Sequence, residues 1–486
     1  MKLRSASIIA AATVCSGLLT GAGAAAGPQA GRAASGGTWG NAEEVAAGLN
    51  QGGEAQLNSV SCASAGNCSA GGYYTNNAEQ AQAFVISQTN GAWGRAKEVP
   101  GSAALNTGWN AQVSSVSCVS ADNCAAGGRY QDRSARSHVF VVTQTNGVWG
   151  QAEQVPGSAA LNQGKFAEAD ISSVSCASAG NCSAGGFYTD RRARLQAFVV
   201  NQTHGTWGNA EEVPGSGTLN TGGEAAVDSL SCGSPGNCSA GGYYTTNRKA
   251  GPQQAFVVSE RNGHWGTAKQ VAAQLNMGAF AQVFSVSCAS AGNCSAGGSY
   301  FDSSAHHQTF VIDQTNGRWG NAEEVPGSAA LNVGGFAQIS SVSCTSAGNC
   351  SAGGFYFTKR PREHALVVTE THGRWGTAQT LPGSVALNGG SNAEVLSVSC
   401  ASPGNCAVAG SYQGAARSRQ VFVADETNGT WGTAEEAPGT AALNEGGLAV
   451  AFEVSCGAVA NCSAGGFYTD SVQEAFVVSE TPGTAP

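Results

Sequence analysis

Sixteen of the seventeen cysteines form eight Cys-x5-Cys pairs: Cys62–Cys68, Cys118–Cys124, Cys176–Cys182, Cys232–Cys238, Cys288–Cys294, Cys344–Cys350, Cys400–Cys406 and Cys456–Cys462. Paired thiols either close disulfides or hold a metal. Metal sites favour CxxC-like spacing with histidine partners, and the seven histidines here follow no period. An even, paired count in an exported chain reads as a disulfide framework. Eight disulfides are therefore expected, with no metal and no cofactor.

Carboxylates are the other residues that can do chemistry. Among the acids outside the repeating set, those expected near the mouth of a central channel are Glu168, Asp170, Asp228 and Glu394. Paired carboxylates can cleave glycosides, but acids two apart in a strand also mark a solvated strand end. Glu168 and Asp170 fall where the cysteine spacing stretches by two residues, a place where a strand is expected to bulge. The chain has no Gly-x-Ser-x-Gly nucleophile, zinc-binding histidine pair or phosphate-binding glycine loop. No catalytic residue is assigned.

The cysteine pairs recur every 56 residues, with one step of 58 between Cys118 and Cys176. A fixed period of this length marks one supersecondary unit copied eight times. One copy reads Ser-Val-Ser-Cys-Ala-Ser-Ala-Gly-Asn-Cys-Ser-Ala-Gly-Gly-Phe-Tyr (173–188), then a variable stretch, Gln-Ala-Phe-Val-Val, Trp207-Gly208, Glu-Glu-Val and a Pro-Gly linker. Four short β-rich segments between turn signals predict an antiparallel meander: strands a near 171–176, b 182–189, c 196–202 and d 206–213. Charged residues are only 11% of the chain and glycines number 69, which suits short strands and many turns.

The chain enters at Thr38-Trp39-Gly40, a d segment with nothing before it, and leaves after Glu474-Ala475-Phe476-Val477-Val478, a c segment with no Trp-Gly after it. The orphan d completes the orphan a-b-c. Such closure predicts an all-β, eight-bladed β-propeller, since an open solenoid has no use for it.

At Asp-Glu-Thr-Asn-Gly-Thr-Trp (425–431) the c–d turn resembles the Asp-box of sialidase-like propellers, with Thr427 in place of the Asp and the Gly429-to-Trp431 spacing one residue short. The Gly-x-Trp-Gly ending is similar to RCC1-type repeats. From about residue 37 to 480 the chain resembles secreted, Ala/Gly-rich bacterial propeller-repeat proteins. The resemblance implies the fold; the Asp-box is structural and carries no catalytic residue over.

Lys2 and Arg4, the apolar run Ile8 to Leu19 and Ala24-Ala25-Ala26 read as a signal peptide over 1–26. Val14 before Cys15 argues against a lipoprotein signal. The expected organisation is then a flexible segment 27–36, the propeller 37–480 and a tail 481–486, in a secreted monomer with no membrane span. Removing Lys2 and Arg4 takes the net charge from −9 to −11, which repels nucleic acid.

The a–b and c–d turns are uniform between copies, whereas the b–c and d–a loops vary. The b–c loops hold Arg133 and Arg136; Arg191, Arg192 and Arg194; Arg248 and Lys249; His306 and His307; Lys359, Arg360, Arg362 and His364; and Arg417 and Arg419. Such a face can attract anions despite the net charge, although exposed loops also accept arginine simply for solvation. A second variable column precedes strand a: Glu54, Asn110, Phe166, Glu224, Phe280, Phe336, Asn392 and Leu448, with Trp109 beside Asn110. Its aromatics suit sugar stacking, or blade-to-blade packing. The leading expectation is a secreted, non-catalytic protein that binds an extracellular glycan or anionic polymer through Trp109, Phe166, Phe280, Phe336, Arg133, Arg136, Arg191, Arg192, Arg194, Arg360 and Arg362. The alternatives are an extracellular protein-interaction scaffold, and a polysaccharide-acting hydrolase or lyase centred on Glu168, Asp170 and Glu394.

Overall fold

The computed structural model describes residues 37–164, 167–247, 251–360, 362–389, 392–414 and 418–483. The signal-peptide segment, residues 27–36, Phe166, Arg248, Lys249, Arg417 and the last three residues lie outside them. No described helix is long and apolar enough to cross a membrane.

Eight antiparallel blades form a closed ring. Blade 3 runs a (Ala169–Ser178), b (Asn181–Thr189), c (Leu195–Thr203) and d (Thr206–Trp207), with a further two-residue strand e (Glu211–Glu212) also on c. The a strands of blades 1 to 8 are Ala55–Ser64, Ala111–Ser120, Ala169–Ser178, Ala225–Ser234, Ala281–Ser290, Ala337–Ser346, Ala393–Ser402 and Ala449–Ala458. They neighbour one another around the ring and line its axis. The last blade closes as expected: Thr38–Trp39 and Glu43–Glu44 both pair with Gln473–Thr481.

The expected single strand d is interrupted. After Trp207 the chain leaves the ladder, and the Ala210 N–H donates to Pro156 O of the preceding blade's linker at 2.7 Å. That linker contains a one-turn helix (Ser158–Leu161) whose N-cap Gly157 has φ 76°, a backbone state glycine adopts without steric cost. Rim acids are tied back to strand b: Tyr188 Oη donates to Glu212 at 2.8 Å and Tyr300 Oη to Glu324 at 2.7 Å.

All eight disulfides form, each joining residues directly opposite on strands a and b. They point to an oxidising environment. The c–d turns carry Asn428 and Gly429 at φ 50° and 79°, both positive as a type I′ hairpin requires.

Two serine columns stitch neighbouring blades. The serine before each cysteine accepts the next blade's cysteine N–H, as in Ser175 with Cys232 at 3.0 Å. Two positions earlier, Ser59 accepts the Val116 N–H at 2.9 Å, and Ser115, Ser173, Ser229, Ser285, Ser341 and Ser397 repeat the bond. At the closing seam Glu453 takes the serine's place, accepting the Val60 N–H at 3.0 Å.

The expected bulge at Glu168 and Asp170 is corrected. Strand a of blade 3 has the same ten residues as the others, and every a–b pair shifts register at the same point, Ile171/Ser173 here and Leu57/Ser59 in blade 1. The two extra residues sit in the linker between Asn162 and Ala169. Glu168, not Phe166, therefore occupies the variable column: its N–H donates to Thr189 Oγ1 at 3.0 Å, as Glu224 does to Thr245 and Glu54 to Thr75.

Candidate functional site

The b–c loops and d–a linkers share one face. The Ala81 N–H donates to Trp109 O, and parallel bridges join His307 to Phe336 and Arg419 to Leu448. On this face the first residue of strand c in one blade therefore meets the linker of the next. Repeats of that contact build a ring of variable pairs around the axis.

On blades 5 to 7 these pairs become continuous. His307 opens strand c of blade 5 (His307–Thr315). Its ring lies 4.1 Å from Phe301, 4.8 Å from Phe280 and 4.3 Å from Phe336, centroid to centroid. Phe336 then stacks on Phe355 at 5.7 Å and 15° and meets Phe357 at 5.6 Å. Burial pushes His307 down to about 4, so it is neutral near pH 7. Phe336 remains 37% exposed, an open ring on a packed aromatic base.

Phe357 faces Glu363 across the b–c pair of blade 6. Glu363 lines a cavity of about 210 Å³ with Asn392, Glu394, Ser411 and Arg419. Arg419 donates to Glu394 and also, at 2.8 Å, to Ser411 Oγ. Ser411 in turn lies 3.2 Å from Glu394. Burial pushes the Glu363 carboxyl up to about 7 against the pull of Arg419. An open aromatic surface thus leads into a pocket holding two carboxyls, a guanidinium, a hydroxyl and an amide. Whole-ligand pockets start at roughly 300 Å³, so this one suits a single residue of a longer molecule.

Two further polar clusters lie on the axis-lining a strands of blades 3 and 4. Asp170 accepts from Arg129 at 3.3 Å and from Ser114 at 3.0 Å, and burial raises it to about 6. Asp228 accepts from Gln282 at 2.8 Å and is raised to about 7 by burial.

The expected ligand residues fall into separate groups. Phe280 and Phe336 share the aromatic cluster, and Arg360 and Arg362 are exposed in the b–c loop of the adjoining blade 6. Trp109, 63% exposed, shares blade 2 with exposed Arg133 and Arg136. It holds φ 73° where other linkers have Gly53, Gly223, Gly335 or Gly447. Arg191 and Arg192 are exposed on blade 3, while Arg194 is half-buried beside Gly223. Among the described residues none of these arginines makes an ion pair. Glu168 and Asp170 lie on blade 3 and Glu394 on blade 7, four blades away, so the three do not form one constellation.

Glu363 and Arg129 were not singled out from sequence. Arg129 carries a signal, since it stands after the Gly-Gly pair of strand b where most copies have Tyr or Phe; Glu363 carries none, since the first position of strand c varies between blades.

No family model matches the chain, and no curated protein matches it in sequence. Among solved structures it is similar to a Hadza microbial sialidase (12% identity, 71% of this chain and 73% of that one, TM-score 0.38). It is also similar to an ulvan lyase described as a new family of polysaccharide lyase (7%, 72% and 89%, TM-score 0.40) and to Trypanosoma rangeli sialidase (7%, 74% and 53%, TM-score 0.37). Likeness this distant carries no inference about substrate. The class established for this chain is the disulfide-stapled, eight-bladed β-propeller.

Proposed function

We propose that the protein is a secreted, non-catalytic propeller that binds an extracellular glycan or anionic polymer across the b–c/d–a face. The observation that carries this reading is the run from exposed Phe336 into the pocket of Glu363, Asn392, Glu394, Ser411 and Arg419. A ring face for stacking beside converging hydrogen-bond groups is what a sugar requires. Exposed arginines without acidic partners add attraction for polyanions. The site differs from blade to blade, which favours one composite site over eight equal ones.

The test is binding of the mature protein to neutral and anionic polysaccharides at low and high salt. Phe336→Ala is expected to weaken binding about tenfold, or ~1.4 kcal/mol. Salt-sensitive binding to anionic members alone would locate the contacts on the basic b–c loops and make Arg191, Arg192 and Arg360 the residues to substitute. Absence of binding to the whole panel would overturn the reading in favour of a protein-interaction scaffold. A second reading rests on Glu363, whose raised carboxyl beside Glu394 has the character of a general acid. Release of new chain ends, lost in Glu363→Gln, would make the protein a polysaccharide-cleaving enzyme.

A further inference from the structure

The opposite face, with its uniform turns, holds clefts between blades. Deep in each, the eighth residue of strand c meets the seventh residue of strand c in the preceding blade. At four junctions a glutamine amide donates to a hydroxyl: Gln88 to Ser479 at 3.1 Å, Gln144 to Ser87 at 3.2 Å, Gln202 to Thr143 at 2.8 Å and Gln314 to Ser259 at 2.7 Å. At two others a glutamate accepts, Glu260 from Asn201 Nδ2 and Glu426 from Thr369 Oγ1, each at 2.6 Å. The remaining two junctions bring acceptor to acceptor: Asp313 with Glu370 between blades 5 and 6, and Asp425 with Glu480 between blades 7 and 8.

The first of these pairs lines a cavity of about 250 Å³ together with Ser295 and His372. Glu370 is 2% exposed, and its Oε2 has no hydrogen-bond partner. Asp313 accepts the Trp375 indole N–H at 3.2 Å, the bond that Trp319 makes to Ser259 at a neutral junction. The second pair has the same defect: Asp425 Oδ1 and Glu480 Oε2 are both buried and unpartnered. A buried anion short of donors is costly, and here two carboxyls face one space in which the Trp375 indole and the Ser295 hydroxyl both serve Asp313. Glu323 adds negative field, and the described residues place no lysine or arginine among the cavity's lining.

We infer that the cleft between blades 5 and 6 binds a divalent cation. Ca²⁺ is the best fit, because it takes hard oxygen ligands in flexible geometry. Asp313 and Glu370 are the carboxylate ligands, the ion displacing the proton that Glu370 holds in the empty cleft at neutral pH; the Ser295 hydroxyl and water complete the shell. No described cluster reaches three His, Cys, Asp or Glu side chains, so two carboxylates place the affinity with extracellular modules, at a Kd of about 10⁻⁴ to 10⁻³ M. The Asp425–Glu480 pair is the same device repeated at the ring's closing blade.

Calorimetric titration of the mature chain with CaCl₂ after EDTA dialysis, near neutral pH, tests this. Saturable binding in that range is expected, with a higher melting temperature. The variant Asp313→Ser with Glu370→Gln recreates the neutral junctions and so should fold. It is expected to bind one ion fewer and to melt above the parent in EDTA. An ion still bound by that variant belongs to Asp425 and Glu480 and should be lost on Asp425→Ser with Glu480→Gln. Overturning outcomes are no saturable binding, or equal numbers of ions in parent and first variant. A parent stabilised only by acidification would identify a shared proton instead and sink the cation site.

Discussion

Glu453 shows how one residue can carry a load that seven serines carry elsewhere. It accepts the N–H of Val60, a residue only 1% exposed, at the seam where the last blade meets the first. Glu453→Ala would leave that N–H unpaired, at a cost of about 1–3 kcal/mol. Glu453→Gln should keep most of the bond through its amide oxygen, so denaturant midpoints of the two variants should separate clearly. At the candidate site Arg419 holds Glu394 and Ser411 in place. Arg419→Ala is expected to release both and to reduce glycan binding without lowering the melting temperature by more than a few degrees. Trp109 is the residue-scale strain point. A large side chain at φ 73° costs of order 1–3 kcal/mol, and such strain persists where surroundings or function demand it. Trp109→Gly should therefore raise stability while removing an exposed stacking surface.

At the scale of elements, the Gly-Gly pair of strand b explains blade packing. A Cβ on Gly354 would lie 1.9 Å from Gln338 O of its own blade, so no larger residue fits there. A Cβ on Gly353 would lie 2.5 Å from Val395 Cγ1 of the next blade. Blade 7 carries the matching exception: Ala409 replaces the first glycine, and the opposing residue is Ala451, in the same core cluster. Gly353→Ala alone is expected to destabilise by roughly 1–3 kcal/mol through overpacking. Paired with Val395→Ala it should recover about 1 kcal/mol or more of coupling in a double-mutant cycle. The pairing of Thr38–Trp39 and Glu43–Glu44 with the last c strand makes a second element-scale prediction. Deleting residues 37–46 should expose that strand and lower the melting temperature far more than trimming residues 482–486. Much of this was legible from the Trp-Gly and cysteine counts. The split of strand d was not, because it depends on the Ala210 N–H leaving its own ladder for Pro156 of another blade.

For the whole molecule, eight cross-strand disulfides in short loops contribute about 2 kcal/mol each in the chain-entropy model. Titration of the denatured, unreduced mature protein should find essentially no free thiol. The buried acids predict an unusual pH dependence. Burial raises Glu370 and Glu480 to about 8, and Glu453, Glu260 and Asp228 to about 7. Each keeps its proton in the folded state after the unfolded chain has lost it, so stability is fullest below the unfolded carboxyl pKa. It falls as pH rises towards 7–8. Asp132 and Asp302 act oppositely. Against burial, which alone would raise them, hydrogen bonds led by His138 and by the His306 N–H hold them low, so their contribution is lost as pH drops through the acid range. Melting followed in EDTA should peak in mild acid, and Glu370→Gln with Glu260→Gln should flatten the alkaline limb. A curve rising from pH 5 to 8 would contradict the burial of these groups.

The repeat, the blade count, the disulfide pairs and the circular closure could all be read along the chain. Those follow from spacing along the chain, which needs no knowledge of what lies opposite. Which variable residues meet depends on how the blades pack. Glu363 and Glu394 are 31 positions apart yet share a pocket, while Glu168 and Glu394, both candidates from sequence, stand on opposite sides of the ring. The two acid pairs lay hidden for the same reason. Each residue is a modest change within its own repeat, and the conflict exists only between neighbours 57 or 55 positions apart brought together by blade packing.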